Sequence, residues 1–168
     1  MPRRILLGLA VALVGHAAMA APADPFTGVW ELDSTARPAG VVSQKLTISV
    51  AGDEETYRSE LLTTKGRRQV TDYVARYDGR EYPSTTRLAG GGEAEETRDG
   101  GVILHRTDDL TRERFWKQDG RVFRVLRRTV VAGGCEMTSQ LIDVAADGTQ
   151  KRGAVLRFHR RAPECPGV

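Results

Sequence analysis

Arg112 and Arg114 stand two residues apart, Trp116 continues the same period, and an Asp119-Gly120 pair follows. Asp-Gly is a strong signal for a two-residue hairpin turn, because both central positions of that turn need positive φ. A two-residue turn sets Trp116 opposite Phe123, Arg114 opposite Val125 and Arg112 opposite Arg127. Period-2 alternation then places these side chains on one side of a sheet. If Asp108-Asp109 is a second two-residue turn, His105 faces Arg112 and joins them. Trp116 and Phe123 carry the most apolar area, so this side is expected to be the interior. Arginine suits two-pronged capture of a carboxylate. The candidate ligand-binding set is therefore Arg112, Arg114, Arg127, His105, Trp116 and Phe123, with an anionic group as its target. Three buried guanidiniums need acidic side chains, water or an anion. The rival reading is a bulge or a different turn, which sends every side chain to the other face. Phe115, Val122 and Leu126 would then line the core, and the arginines would form a solvent ladder against Glu113.

Other chemistry has little to stand on. There is no Gly-x-Ser-x-Gly, no phosphate loop and no His-Glu-x-x-His. His105 and His159 are far apart, and no set of ligands at zinc spacing accompanies them. No catalytic residue, metal or cofactor is expected, and the chain reads as a non-enzyme. Cys135 and Cys165 are expected to form a disulfide, as an even count does in an oxidising compartment. A catalytic or metal role for them would need partners that the sequence does not display.

The elements that position these residues are short strands. Leu46-Thr47-Ile48-Ser49-Val50 alternates apolar with polar. Further β-rich runs cover 55–62, 69–77, 102–106, 111–117, 121–131, 135–144 and 154–160, separated by Gly and Asp turns. Asp119-Gly120 and Asp147-Gly148 are the strongest hairpin signals. No apolar pattern of helical period persists beyond residue 20. Two connections are long: Asp33 to Ser43, and Pro83 to Gly101, which holds Gly90-Gly91-Gly92 and reads as a flap with at most one short strand. Tight turns make neighbouring strands antiparallel. The expected fold is all-β, a single antiparallel up-and-down barrel of about 8–10 strands, since closure removes exposed edges.

Arg3 and Arg4, the apolar run Ile5 to Val14, and Ala18-Met19-Ala20 have the form of a secretory signal peptide. The apolar run is too short to span a bilayer. The chain carries 25 Lys+Arg against 22 Asp+Glu, a net of +3. Loss of Arg3 and Arg4 leaves +1. Acids and bases are interleaved, as in Arg112-Glu113-Arg114, whereas a nucleic-acid binder gathers a basic excess on one face. Neither nucleic acid nor stable membrane insertion after cleavage is expected.

Phe26-Thr27-Gly28-Val29-Trp30-Glu31-Leu32 resembles the Gly-x-Trp opening of the lipocalin and calycin superfamily. The segments Tyr77 to Pro83, Leu104 to Asp109 and the Asp119-Gly120 hairpin resemble, in order, those of small exported bacterial lipocalin-like proteins. The likeness covers most of the chain after residue 20, through short motifs. It implies a lipocalin-like barrel in which Gly28 and Trp30 are structural. It also implies a basic residue late in the last strand packed on Trp30, with Arg157 and Arg160 as the two candidates. The resulting organisation is a signal peptide at 1–20, a lead-in at 21–27, a barrel at 28–161 and a tail at 162–168. Two functions fit. One is a periplasmic or secreted carrier of a small amphipathic or apolar anionic ligand. The other is a structural or interaction module whose barrel is filled by side chains. N-terminal sequencing of exported protein should read Ala21 first; Met1 retained in a membrane pellet would contradict export.

Overall fold

The computed structural model describes residues 24–131, 133–161 and 165. The proposed signal peptide, residues 21–23 of the lead-in and most of the tail lie outside the described residues. Ten antiparallel strands follow one another: β1 (Gly28–Leu32), β2 (Val41–Ala51), β3 (Glu54–Thr63), β4 (Arg67–Arg76), β5 (Glu81–Gly90), β6 (Glu96–Arg106), β7 (Thr111–Gln118), β8 (Arg121–Val130), β9 (Glu136–Val144) and β10 (Gln150–Arg160). Each pairs with its neighbours in sequence, and β1 pairs with both β2 and β10, closing an up-and-down barrel. The all-β reading is correct, and the architecture is compatible with a lipocalin-like fold. A 3₁₀ turn, Ser34–Ala36, lies in the connection from β1 to β2, with the Asp33 carboxylate accepting from Thr35 N–H at 2.7 Å.

The segment 83–101 corrects the flap expected there. It holds most of β5 and half of β6, joined through Gly90, Gly91 and Gly92, all at positive φ. The inward positions of β5 include Ser84 and Thr86, so polar residues occupy the places where an apolar period would have marked a strand. A second correction concerns Asp147-Gly148. Val144 faces Gln150, so the loop has five residues, and Gly148 alone of the two takes positive φ.

One end of the barrel is packed solid. Phe26, Trp30, Ile48, Leu104, Met137 and Phe158 are all buried there. Gly28 has φ 146°, a conformation that glycine adopts readily and L side chains rarely do. Trp30 Nε1 donates to the Phe26 carbonyl at 2.9 Å. Trp30 is also paired in register with Arg160, whose guanidinium carbon lies 4.6 Å from the indole centroid, within cation–π range. Arg160 is therefore the basic residue on the tryptophan. Arg157 is exposed, and its carbonyl accepts from Asp33 N–H.

Cys135 and Cys165 are joined by a disulfide. The Arg160 N–H donates to the Cys135 carbonyl, so the end of β10 lies beside the β8–β9 connection, to which the bridge ties Cys165. The closed loop spans 30 residues. Replacing both cysteines by serine should lower unfolding free energy by about 3–4 kcal/mol on the loop-entropy model. Denaturant titration of the two forms, with non-reducing peptide mapping of the parent, measures this.

Candidate functional site

The β7–β8 hairpin decides which arginines enter the barrel. Asp119 and Gly120 have φ 51° and 75°, and Gln118 faces Arg121, so the two-residue turn forms as expected. The register then shifts between Trp116 and Lys117. Trp116 faces Arg124 rather than Phe123, and Phe123 is the extra residue of a bulge. A one-residue bulge exchanges the faces of everything beyond it. Arg112 now faces Arg128, Arg114 faces Leu126 and Glu113 faces Arg127. Arg112, Arg114 and Arg128 are buried in the interior, at 1%, 2% and 1% exposure. Arg127 lies on the outer surface and pairs with Glu113 at 2.6 Å.

Two other members of the expected set are also displaced. Phe123 is 40% exposed at the cavity mouth. His105 faces Glu113 on the outer wall and packs against Phe115, with centroids 5.1 Å apart. The cause is the β6–β7 turn. Thr107 N–H bonds to the Thr111 carbonyl, so three residues rather than two span the bend. One added residue moves His105 to the opposite face. Of the six expected residues, Arg112, Arg114 and Trp116 converge inside.

The interior arginines meet groups that sequence reading did not single out. Glu55, on β3, has no solvent exposure. Arg128 Nη2 donates to both of its oxygens, at 2.8 and 3.1 Å. Tyr73 Oη donates to Glu55 Oε1 at 2.5 Å, and Tyr77 Oη donates to Oε2. Each phenol in turn accepts from an arginine: Tyr73 from Arg114 Nη1 and Tyr77 from Arg112 Nη1, both at 3.0 Å. Arg112 Nη2 completes its pairing on Asp24. The network thus runs from Asp24 through Arg112, Tyr77, Glu55 and Tyr73 to Arg114. Burial by itself raises the Glu55 carboxyl, but the Arg128 charge and the two phenol hydrogen bonds outweigh it and hold the group below its ordinary value. Burial pushes both phenols up, and the Glu55 charge adds to that, so they stay protonated and donate.

Arg114 is the odd member. Arg112 and Arg128 each reach a carboxylate. Among the described residues Arg114 reaches only phenols, Tyr73 and, at 3.3 Å, Tyr57. Its Nε makes no hydrogen bond among the described residues, as is also true of the Nε of Arg112 and Arg128, so the missing carboxylate is what sets it apart. The guanidinium lies over the Tyr57 ring at 4.1 Å and the Trp116 ring at 4.7 Å, while Tyr57 and Tyr73 stack at 4.8 Å. This box forms the inner end of a cavity of about 530 Å³ that fills the other half of the barrel and opens beside Pro38 and Gln118. The volume falls in the range of small-molecule sites. A second hollow, on the outer wall of β2–β5, has its arginines Arg58 and Arg87 already paired with Asp72. Among the described residues no cluster of His, Cys, Asp and Glu could hold a metal.

Comparison with known protein families and with curated proteins finds no match for the chain. The barrel and its interior therefore carry the functional reading.

The Glu55 carboxylate gives a pH prediction. Its pKa in the folded state lies below the ordinary 4.5, so its contribution to stability is complete above that pH and is lost as the pH falls through the folded value. Glu55→Gln should cost about 3–5 kcal/mol at pH 7, because Arg128 is left buried without its counter-charge. Adding Arg128→Met should recover part of that loss. Urea titrations at pH 7 and pH 3 should show the penalty of the single change shrinking in acid.

Proposed function

We propose that the protein is an exported, non-enzymatic, lipocalin-like carrier that holds a small amphipathic anion in the open half of its barrel. The observation that carries this reading is Arg114: a guanidinium 2% exposed, at the inner end of a large cavity, facing no carboxylate among the described residues. An anionic head group would supply the missing counter-charge, and a guanidinium is suited to receive it. Leu126, Leu141, Leu156 and Trp116 offer the apolar contact such a ligand needs. The Cys135–Cys165 bridge fits an oxidising compartment, which supports export. The alternative, a module whose barrel is filled by side chains, matches the packed end only.

Dansyl-labelled undecanoate should bind with a rise in fluorescence. Arg114→Leu should weaken it by about 1–3 kcal/mol through loss of a charge-assisted hydrogen bond. The fold should persist, because Arg114 has no carboxylate to strand. Equal binding by both proteins would defeat the carrier reading.

A further inference from the structure

The cavity has two chemically different walls. Along β3, β4 and β5, Ser59 faces Thr71 and Thr71 faces Thr86, so three hydroxyl side chains form one row across adjacent strands. The row lies one inward position beyond the Tyr57–Tyr73 stack on which Arg114 rests. Ser59 and Thr71 are 7% and 5% exposed. Across the barrel, Leu126 faces Leu141 on β8 and β9, and Leu156 follows on β10. A carrier for a plain alkyl chain gains nothing from a hydroxyl row, and covering those groups with methylenes costs free energy.

The row also retains hydrogen-bonding capacity. Thr71 and Thr86 bond to each other at 3.0 Å, which uses one of their two O–H donors. Ser59 Oγ accepts from Gln44 Nε2 at 3.0 Å, which leaves its own O–H. Two donors and several lone pairs thus line one side of the space above Arg114.

We infer that the ligand is an anion with one hydroxylated face and one apolar face, its anionic head on Arg114, its hydroxyls on Ser59, Thr71 and Thr86, and its apolar face on the leucines. This rests on the carrier reading and specifies its ligand class. A site built to bond hydroxyls discriminates strongly against an analogue without them, because its own polar groups are then left unpaired.

Cholate and lithocholate share one skeleton and one carboxylate and differ in hydroxyl number, so they separate the walls' contributions. Each is titrated against dansyl-undecanoate bound to the full chain. Cholate should displace the dansyl probe at a concentration about tenfold lower than lithocholate, as two added hydrogen bonds imply. Thr71→Val with Thr86→Val removes a bonded pair by shape-matched apolar groups, which is nearly neutral for the fold. That variant should bind cholate about tenfold more weakly and lithocholate unchanged. Preference for lithocholate, failure of both steroids to displace the bound probe, or cholate binding indifferent to the valines would overturn the two-walled ligand while leaving an Arg114-dependent carrier in place. No binding of the dansyl probe itself would overturn the carrier reading and this inference together.

Discussion

A carboxylate without solvent contact sits inside the barrel, and the other polar groups of the interior are arranged around the need to keep it paired. Glu55 is ionised because Arg128 lies against it and two phenols donate to it. An isolated charge at this depth would be prohibitively costly. Every lone pair of the carboxylate therefore has to be matched, and the matching recruits Tyr73 and Tyr77. Those phenols then have acceptor capacity left over, which Arg114 and Arg112 use. The polar interior is thus a chain of dependencies from one acid rather than a scatter of buried charges.

That chain divides the barrel in two. On one side of it, Trp30, Phe26 and Phe158 fill the space, and Asp24 lies against Arg112. On the other side the strands carry small hydroxylated residues and leucines, which leave room. The stacked pair Tyr57 and Tyr73 is the boundary, serving the network through its hydroxyls and the cavity through its rings. Arg114 belongs to both, since it is bonded to the network and lines the inner end of the hollow.

Most strands, their antiparallel order and the disulfide were legible in the sequence, because each depends on local signals: period-2 alternation, Asp-Gly turns, an even cysteine pair; the role of Gly28 and Trp30 came instead from the resemblance to the lipocalin opening. Placing Arg112, Arg114 and Trp116 inside also came from that alternation. What failed was register. Arg127 and Arg128 are adjacent and chemically identical, so composition says nothing about which enters. The bulge at Phe123 makes the choice, and a bulge leaves no sequence mark when the extra residue is itself a good strand former. His105 was misplaced by one residue of turn length, since Asp108-Asp109 suits a two-residue and a three-residue bend alike. Glu55 opens the expected strand 55–62, but period-2 alternation alone does not mark an acid there as buried. Its burial depends on Arg128, which lies 73 residues away.

The same distances shape how the chain can reach this state. Glu55 meets Arg128 across 73 residues, Asp24 meets Arg112 across 88, and Pro25 meets Arg160 across 135. Hairpins form early because their contacts are local, whereas closing β1 on β10 joins the two ends of the described chain and bears a large loop entropy. Until that closure, each hairpin carries its guanidinium or carboxylate in water. Full pairing of these charges thus requires the closed barrel. A half-closed barrel would hold hydrophobic strands together with unmatched ions, a combination with no stabilising feature. Matching these ions requires the closed barrel, in which no strand edge is left open to other chains.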